Sequence, residues 1–550
     1  MGLGDDFGTK FREVGVAEFF RKNLHMLGYS GPIKSFTTAI HEYVTNAIDA
    51  CEEYGIAPEI KVQIKETKDG GFVVAVEDNG PGIPPEYVPK VFGSMLSGTK
   101  FHRYIQSRGQ QGIGAAGVIL FSQMTTGKPT KVISSTGQKA AVVFLKIDAD
   151  KNVAKVLDES RVDVDWHGTK LVSEFQEVTY RRGEQSAYEY LRRTAIANPH
   201  AKITFIEPTK EKTVWKRSVT KTPARPKEML PHPLGVTPDD LVRMASVATN
   251  SKTLLHFLKT YFSRVSANKA KEILAKAKVE ENREPAKLTY QEAVRIVAVF
   301  PKVKLLSPPT DGLIPIEEDS LTKSLEDTLK PEFLQVITRK PTTYRGGIPF
   351  QIEAAVAYGG GAGRTSGDGD KLEIMRFANK TPLLFDAGAC AIHQAVKDIN
   401  WKNYNIGDID NAPVTVVVNL LSPYVPYMSA GKQAVAQDPD VVKEIRFAVM
   451  AAGRGVKKYM AGVRREKLKQ KRRSIFIRYA PEVAWAINKI TGTPEEKVLK
   501  KLTDTIEHKV RLKNAKDDAD AEDAENGGSS GDDAAGSDDA DDTEGFGGED

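Results

Sequence analysis

The clearest hydrophobic pattern in the chain lies in residues 40–51, where apolar residues recur three and four positions apart. This is the spacing of one face of an α-helix, so the pattern predicts a helix that packs this face into a core. The apolar positions of this face are Ile40, Val44, Ala47, Ile48 and Cys51.

Polar residues of the same predicted helix share a second stripe. Glu42, Asn46 and Asp49 are four and three positions apart, which places their side chains within about 60° of one another. A carboxamide oxygen can ligate a hard cation such as Mg2+, and a carboxylate one turn earlier can orient and deprotonate a water molecule. The stripe therefore suits a magnesium–nucleotide site, although an ordinary solvated helix face has the same spacing.

A strand followed by a glycine-proline turn is predicted next. The β-branched run Phe72–Val76 leads into Glu77 and Asp78, and the turn Asn79–Gly82 follows. An aspartate at the end of a buried strand, followed by glycines, leaves room for a flat heterocycle. Its carboxylate can accept a hydrogen bond from an exocyclic amine such as that of adenine.

A glycine-rich segment precedes another predicted helix. Gly109, Gly112 and Gly114 form a G-x-x-G-x-G pattern, and the apolar run Val118–Phe121 comes behind it. Backbone N–H groups before a helix N-terminus can bind phosphate oxygens; a flexible surface loop has the same composition. Further along, Thr169 places a hydroxyl at the entry of a predicted strand.

These four elements, in this order, resemble the ATPase family shared by gyrase, the ninety-kilodalton heat-shock chaperones, histidine kinases and MutL. The resemblance covers roughly residues 35–180 and implies a Bergerat-type α/β sandwich that binds ATP and Mg2+. It implies that Glu42 is the general base, that Asn46 holds magnesium and that Asp49 supports the site structurally. No P-loop sequence occurs, and the glycine cluster at residues 359–363 predicts a flexible loop.

The same resemblance implies that Asp78 binds the adenine amine with support from Thr169, and that the glycine-rich lid wraps the phosphates. The full set of implied ATP-binding residues is Asn46, Asp78, Gly82, Thr99, Lys100, Gly109, Gln110, Gln111, Gly112, Ile113, Gly114, Ala115, Ala116, Thr169 and Lys432.

Four segments, at residues 16–29, 97–114, 401–404 and 429–435, narrow the resemblance to the ATP-binding subunits of archaeal type IIB DNA topoisomerases. That family relaxes supercoils by ATP-dependent double-strand passage, so the resemblance implies a subunit that dimerises through its ATPase domain as a gate around double-stranded DNA. It also implies an A2B2 heterotetramer, in which a separate DNA-cleaving A subunit carries the strand-breaking tyrosine.

Two sets of residues outside the ATPase region acquire roles only through this resemblance. Lys432, in a glycine-containing loop, would reach the γ-phosphate, whereas a lysine in such a loop is otherwise an ordinary solvated residue. Trp401, Lys402 and Tyr404 would contact DNA. The alternative for Trp401 is packing against the core.

The predicted fold is multidomain α+β. Its parts are an N-terminal strap and ATPase domain at residues 1–225, a helix-two-turn-helix domain at 226–307, a transducer domain with a long basic helix at 308–473, C-terminal helices that dock on a partner subunit at 474–514, and a disordered acidic tail at 515–550. The helix-two-turn-helix domain fits either direct DNA contact or a spacer.

Local sequence patterns predict where helices and strands lie within these domains. Helix starts are predicted at Thr237, Ser251, Ser266 and Thr289, the last completed as a capping box by Glu292. In the transducer region, strands are predicted at residues 349–360 and 412–423 with a helix at 387–400 between them. A helix of about thirty residues is predicted from Asp438 to Arg473, before a more apolar helical region and a last helix from Thr493.

Charge is distributed unevenly along the chain. Residues 517–550 contain fifteen Asp and Glu and no Lys or Arg, so the remainder carries 78 basic and 58 acidic side chains, a net charge of +20. A body that basic favours a polyanionic partner such as DNA, although an ordinary soluble surface is the alternative. The tail has almost nothing apolar to bury; it either solubilises the protein or shields the basic surface.

The chain has only two cysteines and no apolar run near eighteen residues. These features predict a cytoplasmic protein without a membrane segment, and the resemblance to the topoisomerase family implies that it is nucleoid-associated. A rival function from another class is an ATP-driven DNA clamp or scaffold without topoisomerase activity, as in MutL-like proteins.

Overall fold

The computed structural model describes residues 16–96, 103–109, 112–366, 369–429, 431–505 and 508. The chain divides into two compact units, residues 1–457 and 458–550. No helix within the described ranges is long and apolar enough to cross a membrane. The predicted multidomain α+β architecture is confirmed, whereas the predicted acidic tail and most of the N-terminal strap lie outside the described residues.

The ATPase region is built on a six-stranded mixed sheet with the strand order β3-β4-β2-β1-β5-β6. Only β1 and β5 are parallel, and the other neighbours are antiparallel. Alternating burial along β1 shows that one face of the sheet is packed. The strands are β1 (Glu59–Glu66), β2 (Phe72–Glu77), β3 (Thr130–Asp148), β4 (Val153–Phe175), β5 (Lys202–Ile206) and β6 (Lys212–Trp215).

Helices cover the packed face of this sheet and share one hydrophobic core with it. The longest of them, α2, begins at Pro32, a residue suited to the first helical position because its missing N–H would be unpaired there. The helices of this region are α1 (Val16–Lys22), α2 (Pro32–Glu53), α3 (Val88–Gly93), α4 (Gly114–Thr126) and α5 (Ala187–Ala197).

Four short helices with a hydrophobic core of their own follow. Capping boxes start two of them: Thr237 with Asp240, and Thr289 with the predicted Glu292. The predicted start at Ser251 is wrong, because the side chain of Thr253, two residues later, accepts the capping hydrogen bond. The helices are α6 (Pro238–Ser246), α7 (Leu254–Tyr261), α8 (Ala267–Ala277) and α9 (Tyr290–Val299).

The transducer region contains a second sheet with the order β13-β12-β14-β9-β7, and β8 pairs with β9. Every residue of β14 is buried, as expected of an apolar strand covered on both faces. The predicted helix at 387–400 is shorter, α11 (Ala391–Lys397), with single 3-10 turns on either side. The other elements are α10 (Glu318–Leu329), β7 (Phe333–Thr338), β8 (Thr342–Tyr344), β9 (Ile348–Tyr358), β10 (Arg364–Ser366), β11 (Gly369–Lys371), β12 (Glu373–Ala378), β13 (Thr381–Pro382) and β14 (Val414–Leu421).

The glycine cluster at residues 359–363 is a packed turn rather than the predicted flexible loop. The N–H of Gly359 donates to the carbonyl of Pro413 at 2.9 Å, and that of Gly361 to the carbonyl of Leu329 at 2.8 Å. The glycines are needed for close backbone approach, and their amides are not available to a phosphate.

One helix, α12, runs from Pro439 to Thr491. The predicted end at Arg473 is therefore wrong: no glycine or proline follows it directly, and a change from basic to apolar side chains does not break a helix. Pro481 lies inside the helix, at the cost of one backbone hydrogen bond. A further helix begins at Glu495, next to the predicted Thr493–Glu496 start.

Candidate nucleotide-binding site

One stripe of α2 faces a cleft of about 420 Å³. Glu42, Asn46 and Ala50, four residues apart, are half-buried and line this cleft, while residues on either side of them are buried in the core. Neither the Glu42 carboxylate nor the Asn46 carboxamide has a hydrogen-bond partner in the part of the chain that the structure describes. Both groups therefore present oxygens to the cleft, as the sequence predicted for a cation and water site.

Asp78 lies at the end of β2, on the floor of the same cleft, and is 8% exposed. Its Oδ1 accepts hydrogen bonds from the backbone N–H of Gly80 at 2.8 Å and of Thr169 at 3.1 Å. The Thr169 hydroxyl lies 3.0 Å from the Ser134 hydroxyl. Thr169 thus holds the carboxyl group of Asp78 in place through its backbone amide.

Burial raises the pKa of Asp78 to about 6, and the two backbone N–H donors only partly offset this effect. The carboxylate therefore gains its charge in the neutral range. A buried carboxylate of this kind is a strong acceptor for an amine that enters the cleft.

Gly82 makes room beside Asp78. Its φ is +72°, and a Cβ at this position would lie 1.9 Å from the carbonyl oxygen of Ser135. Gly168 is similarly constrained, since a Cβ there would lie 2.0 Å from the carbonyl oxygen of Asp78. At both positions a side chain would collide with a neighbouring backbone carbonyl, so glycine allows the strands around Asp78 to pack this closely.

Glycines of the glycine-rich segment also line the cleft, next to Glu42. Gly114 is the first residue of α4, and a Cβ on it would lie 2.0 Å from Oε2 of Glu42. Its N-cap residue, Ile113, makes no side-chain cap, so among the described residues the first N–H groups of α4 are available to the cleft. Gly109, Gly112, Ile113, Ala115 and Ala116 also line the cleft.

Four predicted ATP-binding residues, Thr99, Lys100, Gln110 and Gln111, lie outside the described residues. For the others, the structure brings the predicted positions to one cleft, while the role of each remains a prediction.

Asp49 turns away from the cleft into a buried ion-pair cluster. Nη1 of Arg108 lies 2.8 Å from Oδ1 of Asp49 and 2.7 Å from Oε2 of Glu52, and a second nitrogen of Arg108 donates to Asn198. Burial raises the pKa of Glu52, but the Arg108 guanidinium outweighs this and holds that pKa well below its usual range. The sequence analysis missed Arg108 and Glu52, although a charged residue at 52 on the apolar side of the helix was a usable signal.

Lys432 reaches the cleft from the transducer region. Its side chain is buried, lines the cleft, and donates a hydrogen bond from Nζ to the carbonyl oxygen of Arg108 at 3.2 Å. Its backbone is in the left-handed region, with φ of +52°. The predicted site therefore combines elements more than three hundred residues apart in the chain.

The predicted DNA contacts at residues 401–404 are only partly compatible with the structure. Trp401 and Tyr404 are 4% and 7% exposed, and the indole N–H of Trp401 donates to the carbonyl of Val396. Their rings are packed in the core and cannot stack on DNA, which corrects that prediction. Lys402 is exposed and remains a candidate for a phosphate contact.

Comparisons with known proteins agree with this geometry. The family model of histidine kinase-, DNA gyrase B- and HSP90-like ATPases matches residues 31–151, and that of the topoisomerase VI B subunit transducer matches residues 308–473. The first match covers α2, β2 and the glycine-rich lid, and it ends before β4, which carries Thr169. Fold and site thus define an ATPase domain of this class joined to a transducer.

Proteins of similar sequence identify the family within this class of ATPases. The B subunit of type 2 DNA topoisomerase 6 from Methanothermobacter thermautotrophicus is 46% identical, over 92% of this chain and 97% of that protein. The protein of the same name from Pyrococcus horikoshii is 44% identical, over 93% and 98%. The chain belongs to the family of type 2 DNA topoisomerase 6 B subunits.

A solved ATPase region of Saccharomyces cerevisiae topoisomerase II aligns with 82% of this chain and 99% of its own, at 10% identity and a TM-score of 0.40. That overall likeness is weak, and the family assignment does not depend on it.

The raised pKa of Asp78 predicts how nucleotide affinity changes with pH. Only the ionised carboxylate accepts a hydrogen bond from an adenine amine without donating one, so affinity for a nonhydrolysable ATP analogue should rise between about pH 5 and pH 7, by at most about tenfold per unit below the pKa. Calorimetric titrations across this range measure it. Asp78→Asn should bind weakly and without this pH dependence; equal affinity of the wild type at both ends of the range would contradict the assignment.

The stability of the nucleotide-free protein should change in the opposite direction. Because the folded state has the higher pKa, it binds this proton more tightly than the unfolded chain does. The contribution of Asp78 to stability is therefore present below about pH 4 and is lost as the pH rises to about 6. Denaturant unfolding of the wild type and Asp78→Asn at both pH values measures the difference.

Proposed function

We propose that the chain is the ATP-binding and hydrolysing subunit of a type II DNA topoisomerase, with its ATPase region acting as a dimerising gate. The observation that carries the proposal is the position of Lys432. A lysine of the transducer region lies in the cleft of the ATPase region and is bonded to the backbone at the start of the lid. The names and identities of the relatives, which match nearly full length, support the same function.

Within the cleft, each side chain has a role that its geometry permits. The Asp78 carboxylate binds the adenine amine, and Thr169 keeps that carboxylate oriented. The Asn46 oxygen is available to hold Mg2+, which would neutralise phosphate charge when bound. Glu42, one helical turn away, accepts a proton from the water that attacks the terminal phosphate.

The lid supplies the phosphate contacts. The uncapped N-terminus of α4 begins beside Glu42, so its N–H groups and helix dipole favour phosphate oxygens at this end of the cleft. Lys432 adds a point charge from the transducer. Only a contact that depends on the γ-phosphate gives ATP a higher affinity than ADP for the closed conformation, which is the requirement for a switch.

The proposed partners are double-stranded DNA, a second copy of the chain and a DNA-cleaving A subunit in an A2B2 assembly in the cytoplasm. The net charge of +20 outside residues 517–550 favours DNA. The end of α12 exposes large apolar side chains, a composition suited to docking on another protein chain. These residues include Phe476, Tyr479, Trp485 and Ile490.

Removing the proposed base should separate binding from hydrolysis. Glu42→Ala and Glu42→Gln should bind ATP but lose at least the ~10²-fold in turnover that is typical for removal of a general base. Asn46→Ala should instead weaken Mg2+-dependent nucleotide binding. Steady-state phosphate release and equilibrium binding measure the two effects. Turnover near the wild-type rate in Glu42→Gln would show that another group is the base.

Lys432→Ala tests the coupling contact. The variant should bind ADP nearly as the wild type does, but bind a nonhydrolysable ATP analogue ~10–150-fold more weakly, because a charged contact to phosphate contributes about 1.5–3 kcal/mol. The analogue should also dimerise it poorly on a sizing column. Lys340→Ala, which removes an exposed lysine of the same region, serves as the control. Normal dimerisation of Lys432→Ala would place the trigger elsewhere.

A further inference from the structure

Residues 104–108, which we call the lid base, lead directly into Gly109, the first glycine of the lid. The lid base is held at its start by the linker to the four-helix domain. The N–H of Met229 donates to the carbonyl of Tyr104 at 2.8 Å, and Ile105 forms an isolated antiparallel bridge with Glu228. The next three residues are each bound by a different part of the transducer region.

Gln106 makes the first of these contacts. Its Nε2 donates to the carbonyl oxygen of Ile314 at 3.1 Å, and its Oε1 accepts from the N–H of Ile314 at 2.7 Å. The side-chain amide thus both donates to and accepts from the backbone of Ile314, as a residue of a paired β-strand does. Gln106 is buried, so loss of this pair would leave polar groups of both residues without partners away from water.

Asn379 makes the second contact, from the turn between β12 and β13. Its Nδ2 donates to the carbonyl oxygen of Ser107 at 3.0 Å. The same carboxamide bonds both backbone groups of Ser422 at the end of β14. Asn379 and Lys380 have φ of +47° and +63°, the conformation of a tight two-residue hairpin turn. The turn that holds the lid base is therefore fixed to the centre of the transducer sheet.

Arg108 makes the third contact. Its carbonyl accepts the hydrogen bond from Lys432, while its guanidinium is paired with Asp49 and Glu52 of α2. This residue joins the lid base to the helix that carries Glu42 and Asn46. The lid base is thus bonded to α2 on one side and to three separate transducer segments on the other.

We propose that Gln106 and Asn379 are positioning residues that fix the lid base to the transducer, so that closure of the lid over a nucleotide and the position of the transducer change together. This inference rests on the proposed function, because it assumes that the lid closes on ATP. It adds a route of coupling that does not pass through Lys432. A displacement of the transducer sheet would move the start of the lid through two neutral hydrogen-bonded contacts.

General packing between the two regions does not require these contacts. Away from the lid, the Ser324 hydroxyl donates to the carbonyl of Ile196 at 2.9 Å, and Arg193 pairs with Glu373 at 2.9 Å. Ile196 and Ala197 also share a hydrophobic cluster with transducer residues. Ser324 therefore offers a control: a buried interdomain hydrogen bond that does not touch the lid.

The test compares Gln106→Leu, Gln106→Glu and Asn379→Ala with Ser324→Ala. The measured quantity is the affinity for a nonhydrolysable ATP analogue divided by that for ADP, with analogue-driven dimerisation as a second readout. We expect this ratio to fall about 5- to 100-fold in Gln106→Leu, which loses two hydrogen bonds, and about 2- to 10-fold in Asn379→Ala. Gln106→Glu keeps the acceptor for the Ile314 N–H but sets a carboxylate oxygen against the Ile314 carbonyl oxygen, so it should lower the ratio as Gln106→Leu does, whereas Ser324→Ala should keep the wild-type ratio.

A structural role alone would give a different result. All of the variants would then lose thermal stability, but none would change the ratio, and that outcome would overturn the proposal. Should Gln106→Leu fail to fold, Gln106→Glu and Asn379→Ala decide the question by the same ratio.

Hydrogen exchange without nucleotide separates this inference from the proposed function. Amides at residues 112–117 should exchange faster in Gln106→Leu and Asn379→Ala than in Ser324→Ala and the wild type. Equal exchange in all four proteins would overturn the inference even if ATP binds as proposed. A wild type that binds no ATP would refute the proposed function, while the exchange data would still test the anchoring of the lid base.

Discussion

The ion pair of Arg108 with Asp49 and Glu52 is the interaction on which the rest of the site depends. A buried guanidinium without its carboxylates would be strongly destabilising, on the order of 3–5 kcal/mol, so the backbone at residue 108 has little freedom relative to α2. That backbone carries the carbonyl that binds Lys432 and leads directly to the lid. A single buried cluster thus sets the distance between α2, the lid and the transducer.

The ion pair with Arg108 separates the polar residues of α2 into two groups, one that faces the cleft and one that is buried. Glu42 and Asn46 face the cleft with no hydrogen-bond partner among the described residues, so their oxygens are available for chemistry. Asp49 and Glu52, one and two turns further, are committed to Arg108 and hold the geometry. One helix therefore carries the proposed base and magnesium ligand toward one end and a buried ion-pair anchor toward the other.

Much of the cleft could be predicted from sequence because its signals are local. Glu42 and Asn46 lie one turn apart on one helix, and Asp78 ends a short apolar strand, so the spacing predicts where these side chains lie. The resemblance to the ATPase family then implies their roles. Gln106 and Asn379 carried no such signal, since each binds backbone atoms of a segment distant in the chain. Lys432 was found only through family resemblance. The DNA contact predicted for Trp401 was wrong, because the sequence pattern does not distinguish a packed aromatic side chain from an exposed one.

In the proposed mechanism, the ATPase and transducer regions bind ATP jointly. Hydrogen exchange of the full chain, with Mg2+ and either ADP or a nonhydrolysable ATP analogue, tests it most directly. We expect the analogue to slow exchange both in the lid, residues 103–116, and in the transducer loop, residues 427–436, and ADP to protect the loop far less. Protection of the lid by the analogue with no change in the loop would contradict a shared site.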